Sequence, residues 1–325
     1  MKFTRSLTTA ALALAVAATG LTAASAAPAD HSDRAQSGSE RTRLTAEASA
    51  FSQTDRGTAW SLARKLSLDF ETHHPQGMSV VGDKIFLSSV EIIEPTVRYP
   101  EPVDGVDRSA GVGRGHVFVL NRDGELLKDI VVGEGSIYHP GGIDFDGKQV
   151  WVPVAEYRPD SASIVYSIDP ETYEVTERLR HDDHVGGVTM DRSTGKLNGV
   201  SWGSRTFFTW NRQGKVVDSS ANPSHFIDYQ DCEYAGAGHQ LCSGVTNLAT
   251  ADGGTYELGG LALTDLATGE IKHEVPVGMT STAGHSMTRN PVALESDGGV
   301  LRMFAAPDDG DEVAGTELFV YEARP

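Results

Sequence analysis

From residue 57 onward, apolar and polar positions alternate in short runs, among them IFLSSV at 85–90, HVFVL at 116–120, IVYSI at 164–168 and LFVYEA at 318–323. A period of two in segments rich in Val, Ile, Phe and Tyr predicts strands rather than helices. Asp-Gly, Asn-Arg-Asp-Gly and Thr-Gly segments between the runs predict hairpin turns.

The runs repeat. One unit starts HPQGMSVVGDKIFLSS at His74, a second HPGGIDFDGKQVWVPV at His139 and a third HVGGVTMDRSTGKLNGVSW at His184. A fourth starts at Tyr229 (YQDCEYAGAGHQLCSGV) and a fifth at Thr288 (TRNPVALESDGGVLRMFAAP), so the starts are separated by 65, 45, 45 and 59 residues. A second hairpin recurs between them at 115–132, 163–179, 205–219 and 259–277. Two hairpins per unit at this period predict an all-β fold, a five-bladed β-propeller with four antiparallel strands per blade. The last unit ends on TELFVYEARP, one strand short, and residues 59–69 (AWSLARKLSLD) are expected to supply the N-terminal strand that closes the last blade. Their apolar spacing also fits a short helix. A β-sandwich would hold the same strands but does not explain the repeat.

The first 26 residues carry Lys2 and Arg5, an apolar stretch at 10–18 and a small-residue Ala-Ser-Ala end, the pattern of a cleaved signal peptide. Residues 27–56, polar and without an aromatic residue until Phe51, are expected to form a flexible tether, and 57–325 the propeller domain. No stretch reaches the roughly 20 apolar residues of a membrane span. Loss of the two basic leader residues moves the formal charge from −18 to −20. That acidity argues against nucleic acid or anionic membrane as partner and favours a cationic, neutral or metal-bridged ligand; a small-molecule or sugar ligand and a secreted, extracellular monomer are expected. In an oxidising compartment Cys232 and Cys242, facing each other across the AGAGH turn, are expected to form a disulfide.

Strand starts and the ends of their hairpin partners open on one face of a propeller. His74, His139 and His184 recur at the starts, and Glu91 and Glu156 follow the first two by 17 residues. Tyr229, Asp231 and Glu233 in unit four, and His285, Asp308 and Asp309 around unit five, are expected nearby. Imidazoles with carboxylates suit a divalent metal (Zn²⁺, Fe²⁺ or Cu²⁺) on His74, His139, His184 and His285, or proton transfer by Glu91 or Glu156. The glycines that follow (Gly77, Gly142, Gly187) are read as places of close backbone approach. Asp144, Asp146 and Asp191 are read as local turn residues. Residues 92–114, the longest insertion, hold Arg98 and Tyr99 and are expected to lie over the same face as a lid or a specificity loop.

HPQG at 74–77, YHPGGID at 138–144 and DHVGGV at 183–188 resemble an uncharacterised family of exported actinobacterial five-bladed propellers. A fainter likeness, on Pro75-Gln76-Gly77-Met78, is to five-bladed glutaminyl cyclases, and it implies Asp231 or Glu233 as the catalytic acid. The residues support three readings. The first is a metal-assisted hydrolase or lyase on a small polar molecule, the second a non-catalytic carbohydrate-binding propeller. The third is a glycosidase-like enzyme with Asp231 and Glu233 as its carboxyl pair.

Overall fold

The computed structural model describes residues 42–310 and 315–325; the leader read at 1–26 and the first part of the tether lie outside them. The chain opens on helix α1 (Ala46–Phe51) and strand β1 (Ser61–Ser67). Blade one holds β2 (His74–Val81) and β3 (Lys84–Glu94), then a hairpin of β4 (Arg98–Val103) and β5 (Val106–Arg108) outside the sheet, then β6 (Val112–Asn121) and β7 (Leu126–Val132). In blade two the inner strand is split into β8 (His139–Pro140) and β9 (Asp144–Phe145), which both pair with β10 (Val150–Ala155), followed by β11 (Ser163–Ile168) and β12 (Val175–His181). Blade three is β13 (Gly187–Asp191), β14 (Lys196–Val200), β15 (Thr206–Trp210) and β16 (Val216–Ala221). Blade four is β17 (Asp228–Gly236), β18 (His239–Ala249), β19 (Thr255–Asp265) and β20 (Ile271–Val277). Blade five is β21 (Val292–Asp297), β22 (Val300–Ala305) and β23 (Glu317–Ala323), completed by β1, which pairs with β23 from Ser61↔Glu322 to Ser67↔Glu317.

This is the expected five-bladed propeller, and residues 59–69 contribute a strand, not a helix. Burial follows strand position. β11 (SIVYSI) is buried at every residue because neighbouring blades cover both faces, whereas β16 (VVDSSA) at the rim is exposed throughout. Five apolar clusters fill the five blade interfaces; between blades one and two, for instance, Phe86, Val117 and Val119 meet Val152, Ile164 and Ile168.

The inner strands approach one another at their glycines. A Cβ on Gly77 would sit 2.7 Å from Gly141 O, Gly142 Cα and Ile143 N of the next blade, and one on Gly142 would sit 2.5 Å from Gln230 O. The structural reading of these two glycines holds; at Gly187 the nearest atom, Val200 Cγ2, is 3.4 Å away, which leaves ordinary room. Cys232 and Cys242 are directly paired across β17 and β18 and form the disulfide, with an S–S bond of 2.03 Å.

Residues 44–54 correct the tether reading. Thr45 N donates to Ala235 O at 2.9 Å, Thr45 Oγ1 caps α1 by accepting from Ala48 N, and Phe51 is fully buried among Val275, Met303 and other residues of blades four and five. A six-residue helix carries almost no signal of its own, and tertiary packing supplies its stability. The segment lies on the bottom face, beside the hairpin turns that end the inner strands. There it borders a cavity of about 240 Å³ lined by Glu47, Asp144, Arg192, Glu233 and Tyr234.

Candidate functional site at the top of the channel

The inner strands begin on the opposite, top face, and several of the expected residues meet there. His74 Nδ1 lies 2.5 Å from Asp309 Oδ1. Asp309 also accepts from Asn290 Nδ2 at 2.8 Å and from Arg289 Nη2 at 3.4 Å. Burial works against ionisation of Asp309, but the hydrogen bond from His74 and the charges of His74 and Arg289 outweigh it and hold the carboxyl below its usual range. A carboxylate only accepts, so His74 Nδ1 donates to Asp309 and the ring is held in one orientation.

His139 is 6% exposed, and both of its ring nitrogens are buried without a hydrogen-bond partner among the described residues. It stacks on Tyr157 with ring centroids 4.2 Å apart and has His184 at 5.8 Å. His184 Nδ1 lies 2.9 Å from Glu156 O and its ring packs edge-on against Trp202. Burial, then the neighbouring His184 and His74, keep the His139 imidazole far below the usual histidine range; burial brings His184 down to about 4. Both rings are therefore neutral, polar and apolar-walled at pH 7.

The 92–114 insertion does lie over this face. Its contact runs through Arg108, whose guanidinium sits 5.3 Å from the Trp202 ring and whose carbonyl accepts from Arg158, and through Ala110 O, which accepts from the Tyr138 hydroxyl. Arg98, which the sequence singled out, is exposed and pairs with Asp107.

His285 Nδ1 lies 3.1 Å from Glu257 Oε1, which is 3.7 Å from Arg289 Nε and so joins His285 to the Arg289–Asp309–His74 group. Other expected residues are engaged elsewhere. The Glu156 carboxylate is taken by Arg158 at 2.6 Å and by the Ser136 hydroxyl at 2.5 Å, leaving the site to its backbone carbonyl. Asp231 is fully buried on the axis, where it accepts from Met78 N at 2.7 Å and Ile143 N at 3.0 Å. Glu233 accepts from the Ser79 hydroxyl and lines the bottom cavity. Burial raises both carboxyls well above their usual range. Asp144, read as a turn residue, does similar work: its two oxygens accept from Met190 N and Tyr234 N. Asp231 and Asp144 satisfy backbone donors on the inner strands of other blades, which face the channel with no further strand to pair with.

The metal expectation also shifts. Among the described residues, the one group of three or more His, Cys, Asp or Glu side chains whose ligand atoms all lie within 4.8 Å of one another is His73, Glu91 and His116. His74, His139, His184 and His285 do not form such a group. Glu91 lies 3.6 Å from His116 Nε2 and accepts from Arg114 at 3.1 Å. His116 Nδ1 in turn lies 2.9 Å from Asp129 Oδ1. His73 and His116 went unnoticed in the sequence because neither recurs in the repeat. The register of β3 on β6, Ser89↔His116 and Glu91↔Arg114, puts His116 diagonal to Glu91 and could have found it.

The molecule is thus a five-bladed β-propeller with clustered His and Glu side chains on its top face. Residues 48–324 match DUF6454, a family of unknown function, and the chain belongs to that family. No curated protein matches it. Among solved structures it is similar to the WD40 domain of Pan2 from Neurospora crassa, with 12% identity and a TM-score of 0.43 over 84% of this chain and 97% of that one. It is also similar to a luciferin-regenerating enzyme, with 10% identity and a TM-score of 0.45 over 83% of this chain and 96% of that one.

Proposed function

We propose that this propeller is an exported enzyme, a hydrolase or lyase, that acts on a small polar molecule lodged at the top mouth of the channel. The observation that carries the reading is the His74–Asp309 pair at 2.5 Å, with Asp309 itself fixed by Asn290 and Arg289. An imidazole oriented through one nitrogen by a carboxylate presents the other as a proton acceptor of defined direction. Tyr157, His139, His184 and Trp202 form an adjoining aromatic wall. The leader pattern at 1–26 and the Cys232–Cys242 disulfide support export.

The aromatic wall favours one second reading, a non-catalytic pocket for a sugar or other neutral ligand. Turnover decides between them. Purified protein is assayed on a panel of small lactones, carboxylic esters and hydroxy acids beside His74→Ala and Asp309→Asn. A general base contributes about 10²–10⁴-fold, so turnover by the wild type is expected to fall by that factor in His74→Ala with the melting temperature unchanged. Equal turnover in wild type and His74→Ala would remove the base from the proposal. Ligand binding without turnover in any form would establish the second reading.

A further inference from the structure

We infer that His73, Glu91 and His116 bind a divalent first-row transition-metal ion of the Zn²⁺ kind, with Asp129 as the positioning residue behind His116. The inference does not depend on the reading of the channel mouth, since it concerns a neighbouring cluster and is tested by metal content.

The first argument is the state of His116. Its ring is 4% exposed, and its Nδ1 faces the Asp129 carboxylate at 2.9 Å. A carboxylate has no proton to give, so Nδ1 carries the hydrogen and Nε2 faces the other way. That Nε2 is buried and has no hydrogen-bond partner among the described residues. Buried polar atoms are rarely left so, and each exception needs a cause. Here Nε2 points toward another acceptor, Glu91 Oε2, at 3.6 Å. A buried, unpartnered ring nitrogen this close to a carboxylate oxygen marks a place that a cation, whether a metal ion or a proton, would fill.

The second argument is the donor set. Two imidazoles and one carboxylate are the ligands of three-coordinate protein sites for Zn²⁺, and the backing of a ligand histidine by a carboxylate on its other nitrogen fixes the ring and raises its basicity. The donor atoms lie within 4.8 Å of one another. Ligands bound at about 2.0–2.1 Å in a tetrahedral site stand roughly 3.3 Å apart, which small rotations of the half-buried His73 and Glu91 side chains supply. The rings of His73 and His116 already run nearly parallel, 28° apart with centroids at 5.2 Å. Arg114 also binds Glu91 Oε2, but a carboxylate has about four acceptor directions and one guanidinium does not exhaust them.

The third argument is the backbone. His73 has φ of 56°, the left-handed region that non-glycine residues rarely adopt, and Gly310 N donates to His73 O at 2.7 Å to hold it there. Such strain persists where the side chain must point in a fixed direction, and it clusters at functional sites. With three protein ligands, the ion keeps a coordination position for water or a substrate atom, and His73 is covalently next to His74 of the channel mouth.

The test uses the whole mature protein, stripped with a chelator and titrated calorimetrically with Zn²⁺, with Ca²⁺ as a hard-cation control. One Zn²⁺ per chain is expected, with a rise in melting temperature on loading and no comparable response to Ca²⁺. His116→Ala and Glu91→Gln are each expected to weaken Zn²⁺ binding by at least about 100-fold. Asp129→Asn should weaken it by about 10–100-fold and leave the ligand set seen by X-ray absorption unchanged. Glu91→Gln guards against a fold defect in His116→Ala, because Glu91 is 28% exposed and the substitution is isosteric. Three results would overturn the inference: no stoichiometric Zn²⁺ in the wild type; binding unaltered in both ligand variants; or binding lost in His139→Ala and kept in Glu91→Gln, which would move the ion to the channel mouth. The first of these would be accompanied by both His116 ring nitrogens staying protonated through the Zn²⁺ titration, as in a charged His116 held between Asp129 and Glu91 without metal.

Discussion

Gly77 shows how much a single position can depend on its neighbour blade. A methyl group there would meet three backbone atoms of residues 141–143 at 2.7 Å, and backbone cannot swing aside as a side chain can. Gly77→Ala is therefore expected to destabilise the protein by about 3 kcal/mol, the upper end for an overpacked core. At Gly187 the added methyl would rest 3.4 Å from a valine methyl, and Gly187→Ala is expected to cost less than about 1 kcal/mol. Urea denaturation of the two variants checks both values, and equal losses would contradict the argument. The repeat made the glycines at 77, 142 and 187 look equivalent, since repetition reports position within a blade and not the distance to the next one. The same limit hid His73 and His116. Reading by recurrence finds His74, His139 and His184, and the structure does bring the first to Asp309 and the other two to each other. A residue that occurs once becomes visible only when strand register sets it beside its partner.

At the scale of the strand, the axis is held by carboxyls that the sequence could name but not assign. Asp146 and Asp191 are the local turn acceptors they seemed, bonding Lys148 N and Gln149 N, and Ser193 N. Asp144 sits in the same kind of local sequence yet reaches the third and fourth blades. Periodicity cannot reveal such a contact, because it is made across the channel between strands that are far apart in the chain. Its carboxyl is raised from 3.8 to about 6, chiefly by burial, against the opposing charge of Arg192 and the bonds from Met190 and Tyr234. A carboxyl whose folded pKa is raised binds protons more readily when folded. Its stabilising contribution is thus full below 3.8 and lost as the pH rises through about 6. His139 and His184, lowered in the fold, act in the opposite sense over the same range, so the wild-type curve alone mixes the two. Asp144→Asn removes one side of that balance. Between pH 7.5 and pH 5, wild type is expected to gain about 1 kcal/mol relative to the variant, a few degrees in melting temperature. A gap that stays constant, or that narrows on acidification, would show Asp144 to be ionised throughout.

For the whole molecule, the alternation, the turns and the repeat together specified five blades and the closing strand, because each is a local signal multiplied by symmetry. What they did not specify is the N-terminal segment that packs beneath the ring, since it belongs to no repeat and its helix is too short to declare itself. Its place follows from shape. The bottom ends of blades four and five carry Val275, Val292, Leu294 and Met303, and Phe51 and Ala48 fill the space against them. Glu47 Oε1 accepts from Ser296 N and Thr54 O lies 2.9 Å from His273 Nε2, so the segment is tied to both blades by polar contacts as well. If residues 44–56 were a tether, replacing Phe51 would leave stability untouched. As a buried ring against a packed interface, Phe51→Ala is expected to cost about 3–5 kcal/mol, lowering the melting temperature by roughly 10 °C in a domain of this size. A shift below about 2 °C would return the segment to the status of a tether. The loss should also appear first in hydrogen exchange of β20 and β21, the strands beneath which the ring lies, with the amides of β11 protected as before. That ordering separates a local prop from a general weakening of the ring.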